Sequence, residues 1–172
     1  MAQQHDPVRR TGRIMWILAW GLSLLLLTWY FNHRLMQDFN PNQQIRVLDS
    51  GSIVLDQDRH GHYLASGSVN SQPVVFLLDT GATQMAVPQL VAARLGLPVG
   101  VPLEISTAAG KVTGYRTRIK SLSLGPFTLY DLDAIIMPSQ NDEVLLGMNA
   151  LRHFELVQRG AQMTITYLKP EP

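Results

Sequence analysis

The chain opens on a long apolar run and then changes pattern. Ile14 to Phe31 (IMWILAWGLSLLLLTWYF) carries no formal charge anywhere along its length. As a helix it would span about 27 Å, close to the hydrocarbon thickness of a bilayer. Trp16 near one end, and Trp29 with Tyr30 at the other, suit the membrane–water interface. A buried helix of a soluble protein would keep a polar face for water, and this run has none. A cleaved signal peptide needs small residues at its cleavage site. Here the residues after Leu27 are Thr-Trp-Tyr-Phe-Asn-His-Arg, bulky throughout. The pattern therefore predicts an uncleaved single-pass anchor at 14–31, behind a short tail at 1–13.

Beyond it, Asn32 to Arg46 is polar and contains Pro41. It reads as a juxtamembrane linker with little structure of its own. Residues 47–169 then form the one globular domain, and their pattern is mainly β. Short apolar or alternating runs at Ile53–Asp56, His62–Val69 and Pro73–Leu78 read as strands, with Asn70-Ser71 as a turn. Pro73–Leu78 is continuous enough to suit a strand buried on both faces. Pro88–Leu95 reads as a helix, with Pro88 at its first position and Gly96 at its stop. Leu103–Ser106 and Val112–Ile119 flank Ala108-Ala109-Gly110 as a hairpin. Leu122–Leu124, Phe127–Leu129, Asp133–Met137 and Met163–Leu168 are further short strands, and Leu146–Arg152 a second short helix. Many short strands with one or two short helices predict a small barrel or sandwich.

Composition narrows the chemistry. There is no cysteine, which excludes a disulfide framework, a thiolate metal site and a cysteine nucleophile. Residues 1–34 hold four arginines against one aspartate, leaving ten basic and twelve acidic residues beyond them. The folded part thus lacks the basic surplus of a nucleic-acid-binding domain. Arg9, Arg10 and Arg13 precede the apolar run, and Arg34 alone follows closely. That bias predicts a cytoplasmic N-terminus, with the bulk of the chain across the membrane.

The sharpest chemical feature is Phe76-Leu77-Leu78-Asp79-Thr80-Gly81-Ala82-Thr83. A carboxylate stands at the end of a fully apolar strand, followed by a hydroxyl residue and a glycine. Such an Asp needs hydrogen bonds to ionise against apolar walls, and the turn after it can supply N–H donors. Gly81 permits the close approach and unusual dihedrals this requires. Thr80 would brace the loop. Asp, Thr and Gly are also ordinary turn formers, so the string alone is compatible with a plain turn. Val144-Leu145-Leu146-Gly147-Met148 adds weight, because an apolar-apolar-glycine string there can pass behind the Asp loop and pack against it. By itself it would be only a strand-to-helix junction.

Together, Leu77-Leu78-Asp79-Thr80-Gly81-Ala82, a central hairpin and Leu145-Leu146-Gly147 resemble the retropepsin-like aspartic proteases. Gly61-His62-Tyr63, Val69-Asn70 and Ala93-Arg94-Leu95-Gly96-Leu97 extend the similarity to the single-domain, membrane-anchored members of Gram-negative bacteria. The resemblance implies a closed β-barrel-like lobe with Asp79 as catalytic aspartate. It also implies Thr80 hydrogen-bonded across to its counterpart, support from Gly81, Leu146 and Gly147, and a flap at Ala108, Ala109 and Gly110 over a peptide or protein substrate. The domain would then face the periplasm from the inner membrane, with no cofactor and no metal. The flap has only Gly110 near its tip and Gly114 further on, fewer glycines than retroviral flaps.

Hydrolysis by this chemistry needs two carboxyls sharing a proton, and one Asp cannot fill both roles. Asp49-Ser50-Gly51 lies too close before Asp79 in the sequence to leave room for a second lobe, and reads as a turn opening the Ile53 strand. Symmetry is the better source, since a two-fold homodimer brings Asp79 to Asp79. His60 and His62 share a strand face but lack a third ligand, so a turn and strand edge describe them better than a metal pair. Arg116, Arg118 and Lys120 alternate as a solvated face would. The competing functional class is a membrane-tethered peptide-binding or dimerisation module that keeps this fold without turnover.

Overall fold

The computed structural model describes residues 7–107 and 110–168. The chain divides into two units, residues 1–38 and 39–172. The first is dominated by helix α1 (Pro7–Phe39), 33 residues long. Within it, Gly12–Asn32 has a mean hydropathy of 1.8, with none of it buried, and is long and apolar enough to cross a membrane. Trp16 meets Trp20 edge-on at 5.8 Å, and the Arg34 guanidinium stacks over Tyr30 at 5.6 Å. The helix runs past Phe31, where the pattern had placed a linker. Nothing in Asn32–Phe39 breaks a helix. The break comes at Asn40, because Pro41 disfavours helical geometry in the residue before it.

The rest of that polar segment is docked rather than loose. Asn40 donates from Nδ2 to Ser66 Oγ at 3.0 Å. Asn42 is buried, donates from Nδ2 to the carbonyls of Asp56 and Leu64, and accepts from Asp56 N–H at 2.8 Å. Its amide reproduces a piece of sheet ladder between two strands that do not themselves pair.

Strands β1 (Arg46–Val47) and β2 (Ile53–Asp56) form a hairpin, with Asp49-Ser50-Gly51 in its turn and Gly51 at φ +79°. β3 (Leu64–Val69) and β4 (Gln72–Leu78) form the next, on Asn70 and Ser71 at φ +49° and +66°. Two consecutive positive φ angles make the tight turn that matches strand twist. β4 buries Val74 and Phe76 but only half-buries Val75 and Leu77, so one face, not both, is fully covered. β5 (Met85–Pro88) leads into α2 (Gln89–Arg94). Pro88 is the cap of this helix, one place earlier than expected, and Gly96 ends it at φ +63°.

β6 (Pro102–Thr107), β7 (Gly110–Leu124) and β8 (Phe127–Met137) make a long antiparallel meander. The sequence had suggested two strands in each of β7 and β8. The register instead carries on across the polar interruptions, skipping only Lys120 and Asp131, where Asp131 takes φ +55° and Asn70 Oδ1 accepts from Lys120 N–H and Ser121 N–H. β9 (Glu143–Leu146), α3 (Met148–Leu151), β10 (Phe154–Arg159) and β11 (Gln162–Tyr167) complete the chain.

One sheet has the order β3-β4-β9-β5-β8-β7-β6, and β3 also pairs with β7. That extra pairing returns the strand order on itself, giving the barrel-like lobe. It needs Gly67, where any Cβ would collide with the Ser123 carbonyl and the Phe76 ring. The other sheet has the order β1-β2-β11-β10. Phe76, Met85, Ile119, Leu122, Leu124 and Leu146 of the first sheet share one fully buried core with Ile53, Leu55 and Ile165 of the second.

Candidate active site

The candidate site is built where β4 ends. β9, which comes much later in the sequence, threads between β4 and β5, parallel to the first and antiparallel to the second. The strand entering the Asp79 loop and the strand leaving it are thus held by one intervening strand. Leu78 pairs with Leu146, and Asp79 N–H donates to the Leu146 carbonyl at 3.2 Å. Leu146 is fully buried beneath the loop.

Gly147 lets the two segments touch. A Cβ there would lie 2.5 Å from the Gln84 carbonyl oxygen and 2.9 Å from that of Ala82. Beyond it, Met148 N–H donates to the Ala82 carbonyl at 2.8 Å and Asn149 N–H to the Thr83 carbonyl at 3.0 Å. The apolar-apolar-glycine string passes behind the Asp loop as its spacing predicted.

The Asp79 side chain is half-buried, and its Oδ1 accepts the Gly81 N–H at 2.8 Å. Gly81 serves by proximity, since a Cβ there would stand 3.1 Å from Asp79 Oδ1. Its φ is not positive, so the unusual dihedral expected of it is not used. Ala82 N–H closes the turn on the Asp79 carbonyl at 3.3 Å. Thr80 is exposed beside the carboxylate.

Asn149 was not singled out from the sequence. Its Oδ1 accepts the Met85 N–H at 2.9 Å, and its Nδ2 donates to the Asp133 carbonyl at 2.7 Å. One side chain ties the exit of the Asp loop, α3 and β8 together. The available signal was a side-chain amide two residues after Gly147, at the start of a helix too short to hold itself. Next to it, Thr83, Gln84, Asp133, Met148 and Arg152 line an open cleft of about 510 Å³.

The candidate flap is a real hairpin. β6 and β7 pair out to Thr107↔Gly110, with Gly110 at φ +117°. Ala108 and Ala109, the expected tip, lie outside the described residues. The histidines belong to a turn that Asp58 holds: its Oδ1 accepts the N–H groups of His60 and His62, both at 2.8 Å. Among the described residues, no group of three or more His, Asp or Glu gathers as metal ligands. Arg116, Arg118 and Lys120 are all exposed, and Arg118 reaches Asp131 at 3.5 Å and Asp133 at 3.3 Å. Tyr63, whose carbonyl accepts Leu78 N–H at 3.0 Å, is buried. Burial pushes its phenol above the ordinary value, against a smaller opposing pull from Gln57.

Comparison with known proteins fits this geometry. Residues 65–153, just over half of the chain, match the family described as "gag-polyprotein putative aspartyl protease". A Sinorhizobium protein described as an uncharacterized protein in the cobV 5′ region is 27% identical over 135 residues. That match covers 74% of this chain and 58% of the relative's length. Among solved structures, a retropepsin-like aspartic protease from Rickettsia conorii superimposes with a TM-score of 0.57 at 23% identity, over 68% of this chain and 91% of that one. EIAV protease, solved with the inhibitor HBY-793, gives 0.44 at 20% identity, over 52% and 84%.

Proposed function

The chain belongs to the retropepsin-like aspartic proteases, and on that premise we propose that it is a membrane-anchored aspartic endopeptidase acting as a homodimer. The observation that carries this is the Asp79 loop. A half-buried carboxylate, hydrogen-bonded by Gly81 N–H, ends a strand whose other supports are Leu146 and Gly147. One such loop per chain supplies one carboxylate, so a second chain supplies the other. Two carboxyls held close share one proton, because both cannot ionise at once.

In this reading the ionised Asp79 takes a proton from water as the oxygen attacks the scissile carbonyl. The protonated Asp79 of the partner subunit gives its proton to the carbonyl oxygen. The resulting tetrahedral diol collapses as the C–N bond breaks and a proton passes to the leaving amine. Thr80 hydrogen-bonds across the two-fold axis, and the hairpin at 107–110 covers an extended peptide whose backbone pairs like an added strand. No metal or organic cofactor takes part. α1 anchors the chain in the inner membrane. The arginines at 9, 10 and 13 hold the N-terminus in the cytoplasm, and the protease domain faces the periplasm.

The test is cleavage of a diverse peptide pool by the full-length protein in detergent. Asp79→Asn is expected to lower the rate by at least about 10²–10⁴-fold, whereas Asp49→Asn, in the β1–β2 turn, leaves it intact. The rate should be highest in acid, where one proton is shared by the pair. Equal losses from both substitutions, or a rate flat from acid to alkaline pH, would sink the assignment.

A further inference from the structure

One edge of β7 is covered at two places and open between them. Gly100 N–H donates to the Arg116 carbonyl at 2.8 Å, and Arg116 N–H donates to the Val101 carbonyl at 3.0 Å. Further along, Asn70 Oδ1 accepts from Lys120 N–H and Ser121 N–H, and Asn70 N–H donates to the Ser121 carbonyl at 2.8 Å. Backbone bonds of an antiparallel strand leave from alternate sides at successive residues. The N–H and C=O of Arg118 therefore point the same way as those of Arg116, away from Asp133, its opposite number on β8. Among the described residues, neither the chain at Gly100 nor the turn at Asn70 reaches them.

The gap opens into a cleft of about 770 Å³. Leu95 and Pro98 give it an apolar wall, Arg118 and Lys120 bring two cations, and Asn70 closes one end. The Arg118 guanidinium is engaged by Asp131 and Asp133. Lys120 is exposed, with no ion-pair partner among the described residues. The open stretch is too short for a strand to run through. Its covered ends, Arg116 and Lys120, are separated by about 13 Å at strand spacing.

What fits is the end of a chain. The last residue of a peptide brings an amide N–H for the Arg118 carbonyl and a carboxylate for the Arg118 N–H and the Lys120 ammonium. Its side chain, if apolar, meets Leu95 and Pro98. We propose that this cleft binds the C-terminal residue of a peptide, apolar and with its carboxylate free. Capture of a terminal carboxylate by backbone groups is a recurring mode of recognition. An internal acidic residue offers the charge, but the chain running on from it would meet Gly100 or Asn70. The cleft shares only Asp131 with the one beside the Asp79 loop, so binding here does not depend on the Asp79 carboxylate.

The probe is fluorescein-labelled Gly-Ser-Gly-Ser-Leu, titrated with full-length protein in detergent and followed by polarisation. The free acid should bind about tenfold or more tightly than its C-terminal amide, the loss expected when a hydrogen bond to a charged group goes. Lys120→Ala should cost the free acid a similar factor and leave the amide unchanged, and Lys120→Arg should restore most of the affinity. Arg159→Ala removes an exposed cation elsewhere and should change nothing. Asp79→Asn should bind as the wild type does. Hydrogen exchange at the Arg118 amide should slow with the free acid only. Equal affinities for acid and amide, or indifference to Lys120, would overturn the proposal. So would an amidated peptide with an internal Glu that binds as tightly as the free acid, or no saturable signal from free-acid peptides ending in Leu, Val or Phe. Binding lost in Asp79→Asn would put the peptide at the Asp79 loop instead, and would overturn it too.

Discussion

Asp79 owes its character to one backbone N–H and one strand end, and both were legible in the sequence: a carboxylate closing an apolar run, then a hydroxyl residue and a glycine. Gly147 was legible for the same reason, since a Cβ there would stand 2.5 Å from the Gln84 carbonyl oxygen and only a glycine fits. Asn149 was not, because an amide's role depends on which carbonyl and N–H it finds, and these come from β8 and β5. Tyr63 was equally silent, its burial being a property of the finished core. Its hydroxyl makes no hydrogen bond of full geometry, feeling only the weak pull of Gln57, and burial raises its phenol above the ordinary value near 10. The sign of the consequence follows from linkage. Above that value the unfolded chain has released the proton and the folded chain still holds it, so stability falls as pH rises further. Below it the contribution is constant. Tyr63→Phe should therefore cost nothing near neutrality, with a gain of up to about 1 kcal/mol, and should flatten the alkaline decline. Urea midpoints of both proteins between neutrality and strong alkali would decide it; parallel declines would show that Tyr63 is not the group responsible.

Among the elements, type and order were mostly readable, and boundaries were not. The β3–β4 turn, α2 with its Gly96 stop, and the β6–β7 pairing follow from local signals that the fold leaves undisturbed. β1, β5 and β10 were missed, and Leu146, read as the start of a helix, ends β9 instead, with α3 beginning at Met148. Met85–Pro88 is too short to show a period, and Phe154–Arg159 mixes charged and apolar residues as an edge strand does. The clearest misreading is the segment after the apolar run. Its polar composition suggested a linker, but polarity there serves hydrogen bonding. The Asn42 amide stands in for missing ladder bonds by engaging Asp56 and Leu64. Asn42→Ala would leave a buried N–H and two carbonyls without that partner, at about 1–3 kcal/mol for each group left unsatisfied. The expected loss is about 2–5 kcal/mol of domain stability, from the same penalty per group, measured by urea unfolding of the domain from Phe39 onward. A change below about 0.5 kcal/mol, less than one ordinary hydrogen bond contributes, would mean that water replaces the amide and that the clamp is incidental.

On the proposed reading the whole molecule joins one Asp79 per chain to an apolar helix of membrane length, and each feature would give the other a purpose. A site that needs two copies is limited by how often they meet. Chains confined to one bilayer meet at a local concentration that does not change when the suspension is diluted, whereas a free domain follows bulk concentration. The domain's own contacts begin at Phe39, so a soluble form should start there rather than further in. Full-length protein reconstituted at a fixed protein-to-lipid ratio should keep its Asp79-dependent rate per chain as the vesicles are diluted. The soluble form should lose rate per chain on dilution, and the total rate should approach a second-order dependence once most chains are monomeric. If both forms hold their rate across that range, the dimer is permanent and the helix contributes location only. If both lose it, the helix does not concentrate the chains, and pairing must wait for substrate to hold two domains together.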